Sequence, residues 1–141
     1  MAEITTRTVD RSVVLPPGLR QRIELLSHLP NNWDGEGARS VKASVLADVV
    51  EALKCLSQQA DGFKSPFVAP TFEGFVQLEW HDKQRSLEIE AVLNGWTVVG
   101  TMVGGKGNRL YFTAECESSD FLRLEGFYKW FLGDELIWPS P

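Results

Sequence analysis

At 141 residues, 43% of them apolar, the chain amounts to one globular domain, long enough to bury a core without disulfides or metals. Its formal net charge of -5 and pI near 5.0 argue against a general nucleic-acid binder, which needs a basic field to engage phosphate, and leave room for a basic protein partner. No apolar run is long enough to span a bilayer, and the start Met1-Ala2-Glu3-Ile4-Thr5 lacks the charged-then-apolar layout of a signal peptide, so a cytoplasmic location is expected.

Residues 1–15 have weak periodicity and are expected to form a mobile arm or an edge strand over Val9 to Leu15. Pro16 and Pro17 open a helix, since proline is accepted in the first helical turn. Leu19, Ile23 and Leu26, with Leu25 and Leu29, supply its apolar stripe, and Pro30 ends it. Pro30 to Ala38 is a loop by composition. Ser40 is placed to cap a second helix, whose residues Val41, Val45, Val49, Leu53 and Leu56, joined by Leu46 and Val50, form a broad buried face to about Gln59. Asp61-Gly62 and Pro66 mark the change to strand period, beginning with a short strand over Phe67 to Ala69.

From Phe75 to Val92 the alternation is strict on both sides of a polar link, Asp82-Lys83-Gln84-Arg85, which is the pattern of a half-buried β-hairpin. Closing it symmetrically sets His81 opposite Ser86, Trp80 opposite Leu87, Glu79 opposite Glu88, Leu78 opposite Ile89 and Gln77 opposite Glu90. One face then carries Val76, Leu78, Trp80, Leu87, Ile89 and Ala91. The other carries Gln77, Glu79, His81, Glu88 and Glu90. Like charges directly across a strand pair are destabilising, so the glutamates must be solvated or paired with a cation from the protein, a metal or a partner. Asn94-Gly95 turns into a strand over Trp96 to Met102, and Gly104 to Asn108 turns into another over Arg109 to Ala114. Ser118 or Ser119 is placed to cap a last helix bearing Phe121, Leu122, Leu124, Phe127, Tyr128 and Phe131, before a short tail through Trp138. Links of hairpin length require antiparallel neighbours. The expectation is a single α+β domain over 1–141, with an antiparallel sheet of four or five strands, two N-terminal helices and one C-terminal helix.

Chemistry-bearing residues are few. In Trp33-Asp34-Gly35-Glu36-Gly37-Ala38, turn chemistry accounts for every residue: glycines for unusual backbone angles, Asp34 for an Asx turn, Trp33 as an anchor. The functional alternative has Asp34 or Glu36 reach the acidic hairpin face. Gly35-Glu36-Gly37 is not a phosphate loop, lacking the following Lys-Ser/Thr and a preceding strand. Glu79, Glu88 and Glu90 invite a metal-dependent nuclease or related hydrolase, yet Glu88-Ile89-Glu90 lacks the lysine such strands often carry. His28 and His81 are too few for a histidine-rich metal site. There is no serine elbow, no dinucleotide fingerprint, and Cys55 and Cys116 read as small buried hydrophobes.

The run Leu29 to Ala38, with its Asn-Trp-Asp-Gly-x-Gly-Ala core, is followed by Gly74-Phe75-Val76-Gln77-Leu78-Glu79-Trp80 and Leu87-Glu88-Ile89-Glu90. Together these segments resemble a family of small, largely uncharacterised bacterial proteins over about Leu29 to Glu90. The resemblance implies a companion encoded in toxin–antitoxin, accessory or phage-defence gene clusters, and it assigns no catalytic residue. The expected function is therefore a non-catalytic protein-binding module, an antitoxin, immunity protein or antiviral-defence subunit. It would engage a basic or nucleic-acid-processing partner through Gln77, Glu79, His81, Glu88 and Glu90, with Asp34 and Glu36. No cofactor, resident metal, membrane or direct nucleic-acid contact is expected, and a homo-oligomer is left open. A third alternative keeps the glutamates for the chain's own arginines, such as Arg20 or Arg22.

Overall fold

Two-residue alternation in the strands and three-to-four spacing in the helices give every element one apolar side, and the tertiary structure joins those sides into one core. The computed structural model describes residues 13–59 and 62–134. Among the described residues, helices α1 (Pro17–Ser27) and α2 (Ala43–Gln59) precede strands β1 (Phe67–Pro70), β2 (Val76–His81), β3 (Arg85–Val92), β4 (Gly95–Val103) and β5 (Arg109–Glu117). Helix α3 (Phe121–Phe131) follows. The strands form one antiparallel sheet in the order β1-β2-β3-β4-β5, a meander made possible by turns too short for any crossover. The fold is thus α+β, with five strands.

All three helices cover the same side of the sheet. Leu19, Ile23 and Leu26 of α1, Val45, Val49, Leu53 and Leu56 of α2, and Leu124, Phe127, Tyr128 and Phe131 of α3 meet the strand residues Val68, Val76, Leu78, Trp80, Leu87, Ile89, Ala91, Trp96 and Val98. The six hairpin residues expected on the core face are all buried, as are both cysteines. Aromatic side chains enter with their polar ends satisfied. Trp80 Nε1 donates to the Lys64 carbonyl at 2.8 Å, the Tyr128 hydroxyl accepts from the Lys64 amide at 2.9 Å, and Trp96 Nε1 donates to the Ser118 carbonyl at 3.1 Å. Phe112 lies across Gly100, where a Cβ would fall 2.2 Å from its ring, so glycine is required for that ring position.

Several local expectations need correction. Ser40 does not cap α2: the helix begins three residues later, and the Ser40 amide is bound by Asn31 Oδ1 in the preceding loop. Asp120, not Ser118 or Ser119, caps α3, its carboxylate accepting from the Arg123 amide; a charged acceptor at that position suits the positive end of the helix dipole. Leu25, expected on the stripe of α1, is 67% exposed, because the core side of this short helix is filled by Leu19, Ile23 and Leu26. Residues 13–16 form no strand, although Leu15 is buried against the core; the remainder of the expected arm, and the Trp138 tail, lie outside the described residues.

Candidate functional site: the open face of the sheet

With the helices on one side, strand pleating sends alternate side chains to the other. The β2–β3 register sets Glu79 against Glu88, Gln77 against Glu90 and His81 against Ser86, as the symmetric hairpin closure predicts. The turn is held by Asp82, whose Oδ1 accepts from the amides of Gln84 and Arg85, both at 2.7 Å. Those bonds, the Arg85 one first, hold the Asp82 carboxyl below its ordinary range. Across the whole sheet, two rows run along the open face. One is Phe67, Glu79, Glu88, Val99 and Thr113; the other is Ala69, Gln77, Glu90, Thr97 and Glu115.

Within the first row, Glu79 accepts from Gln77 Nε2 at 2.8 Å and faces His81 Nε2 at 3.4 Å, while His81 Nδ1 lies 3.2 Å from Ser86 Oγ. Glu79, His81 and Glu88 each offer a ligand atom, and these atoms lie within 4.8 Å of one another. A bound divalent transition metal would draw such donors to about 3–3.5 Å apart, given metal–ligand bonds near 2.1 Å. The trio fits a metal only after its side chains close in. Glu90 stands outside that cluster. Burial between neighbouring strands, then the charge of Glu73, raises its pKa. Among the described residues no lysine or arginine forms an ion pair with Glu79, Glu88 or Glu90.

Neither Arg20 nor Arg22 forms an ion pair with these glutamates, although Arg22 reaches the β1 end of the face. Arg22 donates from Nε to the Val68 carbonyl at 3.3 Å and lies over the Phe67 ring, 4.6 Å from its centre, and Arg20 is exposed on α1. The nearby groove, about 270 Å³, is lined by α1, β1 and the segment after α1, with Leu25, Phe67, Leu29 and Trp33 among its residues, and contains none of the hairpin glutamates.

Asp34 and Glu36 sit on the loop before α2, and neither joins the Glu79–His81–Glu88 cluster. Asp34 Oδ1 accepts from the amides of Glu36 and Ala38, at 2.9 and 3.0 Å, and these bonds lower its pKa. Gly35 and Gly37 adopt φ of 77° and 93°, the left-handed region the sequence anticipates for them. Trp33 donates from its indole to the Arg39 carbonyl at 3.0 Å. The loop then pairs with the β1–β2 turn: the Arg39 amide donates to Phe72 O and the Lys42 amide to Gly74 O. Gly74 has φ 89°, and a Cβ there would lie 2.7 Å from Ser40 O. The Trp-Asp-Gly loop and the glycine that opens β2 are therefore two halves of one backbone junction. Glu73 and Glu115 are the acidic residues of this face that hairpin reasoning misses; the strand-to-strand register locates Glu115, and Glu73 is brought in by the turn.

No family model matches the chain, and comparison with curated proteins and with solved structures finds no match. No helix among the described residues is long and apolar enough to cross a membrane.

Proposed function

We propose that this protein is a non-catalytic protein-binding module that engages a basic partner through the open acidic face of its sheet. The observation that carries the reading is the segregation of the fold. Every described helix packs on one side, while Glu79, Glu88, Glu90 and Glu115 share the other, and none of the four forms an ion pair with a lysine or arginine among the described residues, although Arg109 stands on the same face at the far end of β5. Opposed like charges on a rigid sheet cost folding free energy, and a partner's guanidinium or ammonium groups recover it on binding. A surface of this sign also steers a cationic partner and competes with nucleic acid for a basic active site. The narrower reading, an antitoxin, immunity or defence-complex subunit, rests on the resemblance of the Leu29–Glu90 segments, and its cytoplasmic location rests on the sequence pattern alone.

The test is capture from the source cells with the wild-type protein and with the Glu79→Gln/Glu88→Gln/Glu90→Gln variant. A basic protein retained by the first and lost by the second is expected, with an association rate that falls as salt rises. Equal retention by both refutes the assignment of the face. One observation favours a second reading, a metal-dependent nuclease or related hydrolase: the Glu79, His81 and Glu88 donors converge. Micromolar binding of a divalent ion, lost in Glu88→Gln, would favour it over the first.

A further inference from the structure

The two edges of the sheet are finished differently. On β1 the Thr71 amide donates to Phe75 O, so Val68 and Pro70 are the residues whose backbone faces outward. Pro70 has no N–H, and Arg22 Nε occupies the Val68 carbonyl. That edge is short and plugged, the usual defence against strand addition. On β5 the Ser118 amide donates to Asn94 O, which turns the backbone of even-numbered residues toward β4 and leaves Arg109, Tyr111, Thr113, Glu115 and Glu117 facing outward. The last two carbonyls are taken, Glu115 O by Arg123 Nη1 at 3.0 Å and Glu117 O by the Asp120 amide at 3.0 Å. From Arg109 to Thr113 the edge is open among the described residues. It also carries the most exposed aromatic side chain among the described residues, Tyr111 at 78%, next to Leu110 at 51%.

We infer that this open half of β5 is a dimerisation edge, which pairs antiparallel with β5 of a second copy about a twofold axis at Tyr111. This register uses only the unoccupied groups. Arg109, Tyr111 and Thr113 exchange backbone hydrogen bonds with Thr113, Tyr111 and Arg109 of the second copy. It sets Tyr111 against its own equivalent on the open face and Leu110 against Phe112 of the second copy on the helix side. No like charges stand opposite each other, and each Glu115 lies diagonal to Arg109 of the other copy, within reach of that long side chain. Centring the axis on Thr113 would instead demand the Glu115 and Glu117 carbonyls that α3 and its cap already hold. The Tyr111-centred register pairs all three open residues with the same three of the second copy and adds the diagonal Glu115–Arg109 attraction, so a second copy is the occupant the edge fits. The inference is independent of what the acidic face binds.

Sedimentation over a concentration series of the whole protein, with two cysteine variants, tests it. A monomer–dimer equilibrium in the micromolar range is expected, as suits a small interface. Thr113→Pro removes an outward N–H that β4 does not use, and should weaken the dimer at least tenfold with little change in melting temperature. Tyr111→Cys should form a disulfide dimer under mild oxidation, since facing residues of a bonded pair have Cα atoms about 5.5 Å apart. Thr113→Cys should not, because its equivalent is displaced along the strand. A monomer throughout the series, or a dimer indifferent to Thr113→Pro and uncrosslinked by Tyr111→Cys, overturns the inference. Crosslinking by Thr113→Cys instead overturns the register.

Discussion

Glu88→Gln isolates the electrostatic cost of the open face. Glu79 and Glu88 are direct cross-strand partners, and one carboxylate oxygen of each lies within 4.8 Å of the other. Two unit charges at that separation repel by about 1 kcal/mol in water and by a few times as much at an effective dielectric near 20. Glu79 is 27% exposed and His81 stands beside it, so solvent and the imidazole offset part of the repulsion. Glu88 makes no ion pair among the described residues, whereas Glu79 would also lose its Gln77 and His81 contacts, so the substitution at Glu88 is the cleaner one. Glutamine keeps the size of the side chain and removes the charge. The expected result is a stabilisation of about 0.5–1.5 kcal/mol, a rise in Tm of about 2–5 °C for a domain of this size. Calorimetric melts of wild type and variant at low and high ionic strength would measure it, with the gain shrinking in salt. A lower Tm for Glu88→Gln would mean that a cation already compensates the pair, and the argument for an unsatisfied acidic face would fail.

Gly35→Val and Gly37→Val should each destabilise by about 1–3 kcal/mol in chemical denaturation, a purely conformational cost because open space surrounds both positions and both φ are positive. Trp33→Ala should cost about 2 kcal/mol, less than the 3–5 typical of a fully buried tryptophan, because the ring is half-buried beside the α1 groove. Calorimetric titration with manganese or magnesium should give binding no tighter than about millimolar, since the cluster supplies three donors that must first close in. Glu90→Gln should be more stable than wild type at neutral pH. The native state holds the Glu90 proton more readily than the unfolded chain, so wild-type stability falls as pH rises through the folded pKa, and the variant's advantage should disappear in acid, below the unfolded value. A variant less stable at pH 7 contradicts that sign.

The hairpin was legible because its two halves alternate without a break, and a one-residue slip would have sent Leu78, Trp80, Leu87 and Ile89 to solvent and the glutamates into the core. The penalty for any other register is therefore large, and the sequence states it locally. The glycines of the Trp33–Ala38 loop were legible for a similar reason, since left-handed backbone is a property of the residue that adopts it. The helix caps were not. Serine competes for cap positions on equal terms with aspartate, so Ser118, Ser119 and Asp120 could be separated only by the path on which β5 enters α3. Ser40 misled because its amide is recruited by Asn31, a contact fixed by the folding of the loop onto the β1–β2 turn. Glu115 was overlooked because its place beside Glu90 runs through Thr97 on an intervening strand, information held in the β3–β4–β5 register rather than in any short run of residues.

The same register argument connects the two proposals. A twofold axis that joins antiparallel edges in one continuous sheet stands perpendicular to it, so both copies present the same side in the same direction. Two β5-paired copies would carry their acidic faces side by side, with the helices of both on the reverse. A partner with two basic patches at the matching spacing would then meet both faces at once. The second contact would form at a high effective concentration, and the affinity gain would need no additional residue. Thr113→Pro, which lies outside the glutamate cluster, should in that case weaken capture of such a partner while leaving the intrinsic affinity of each single face unchanged. The triple glutamine variant should remove both.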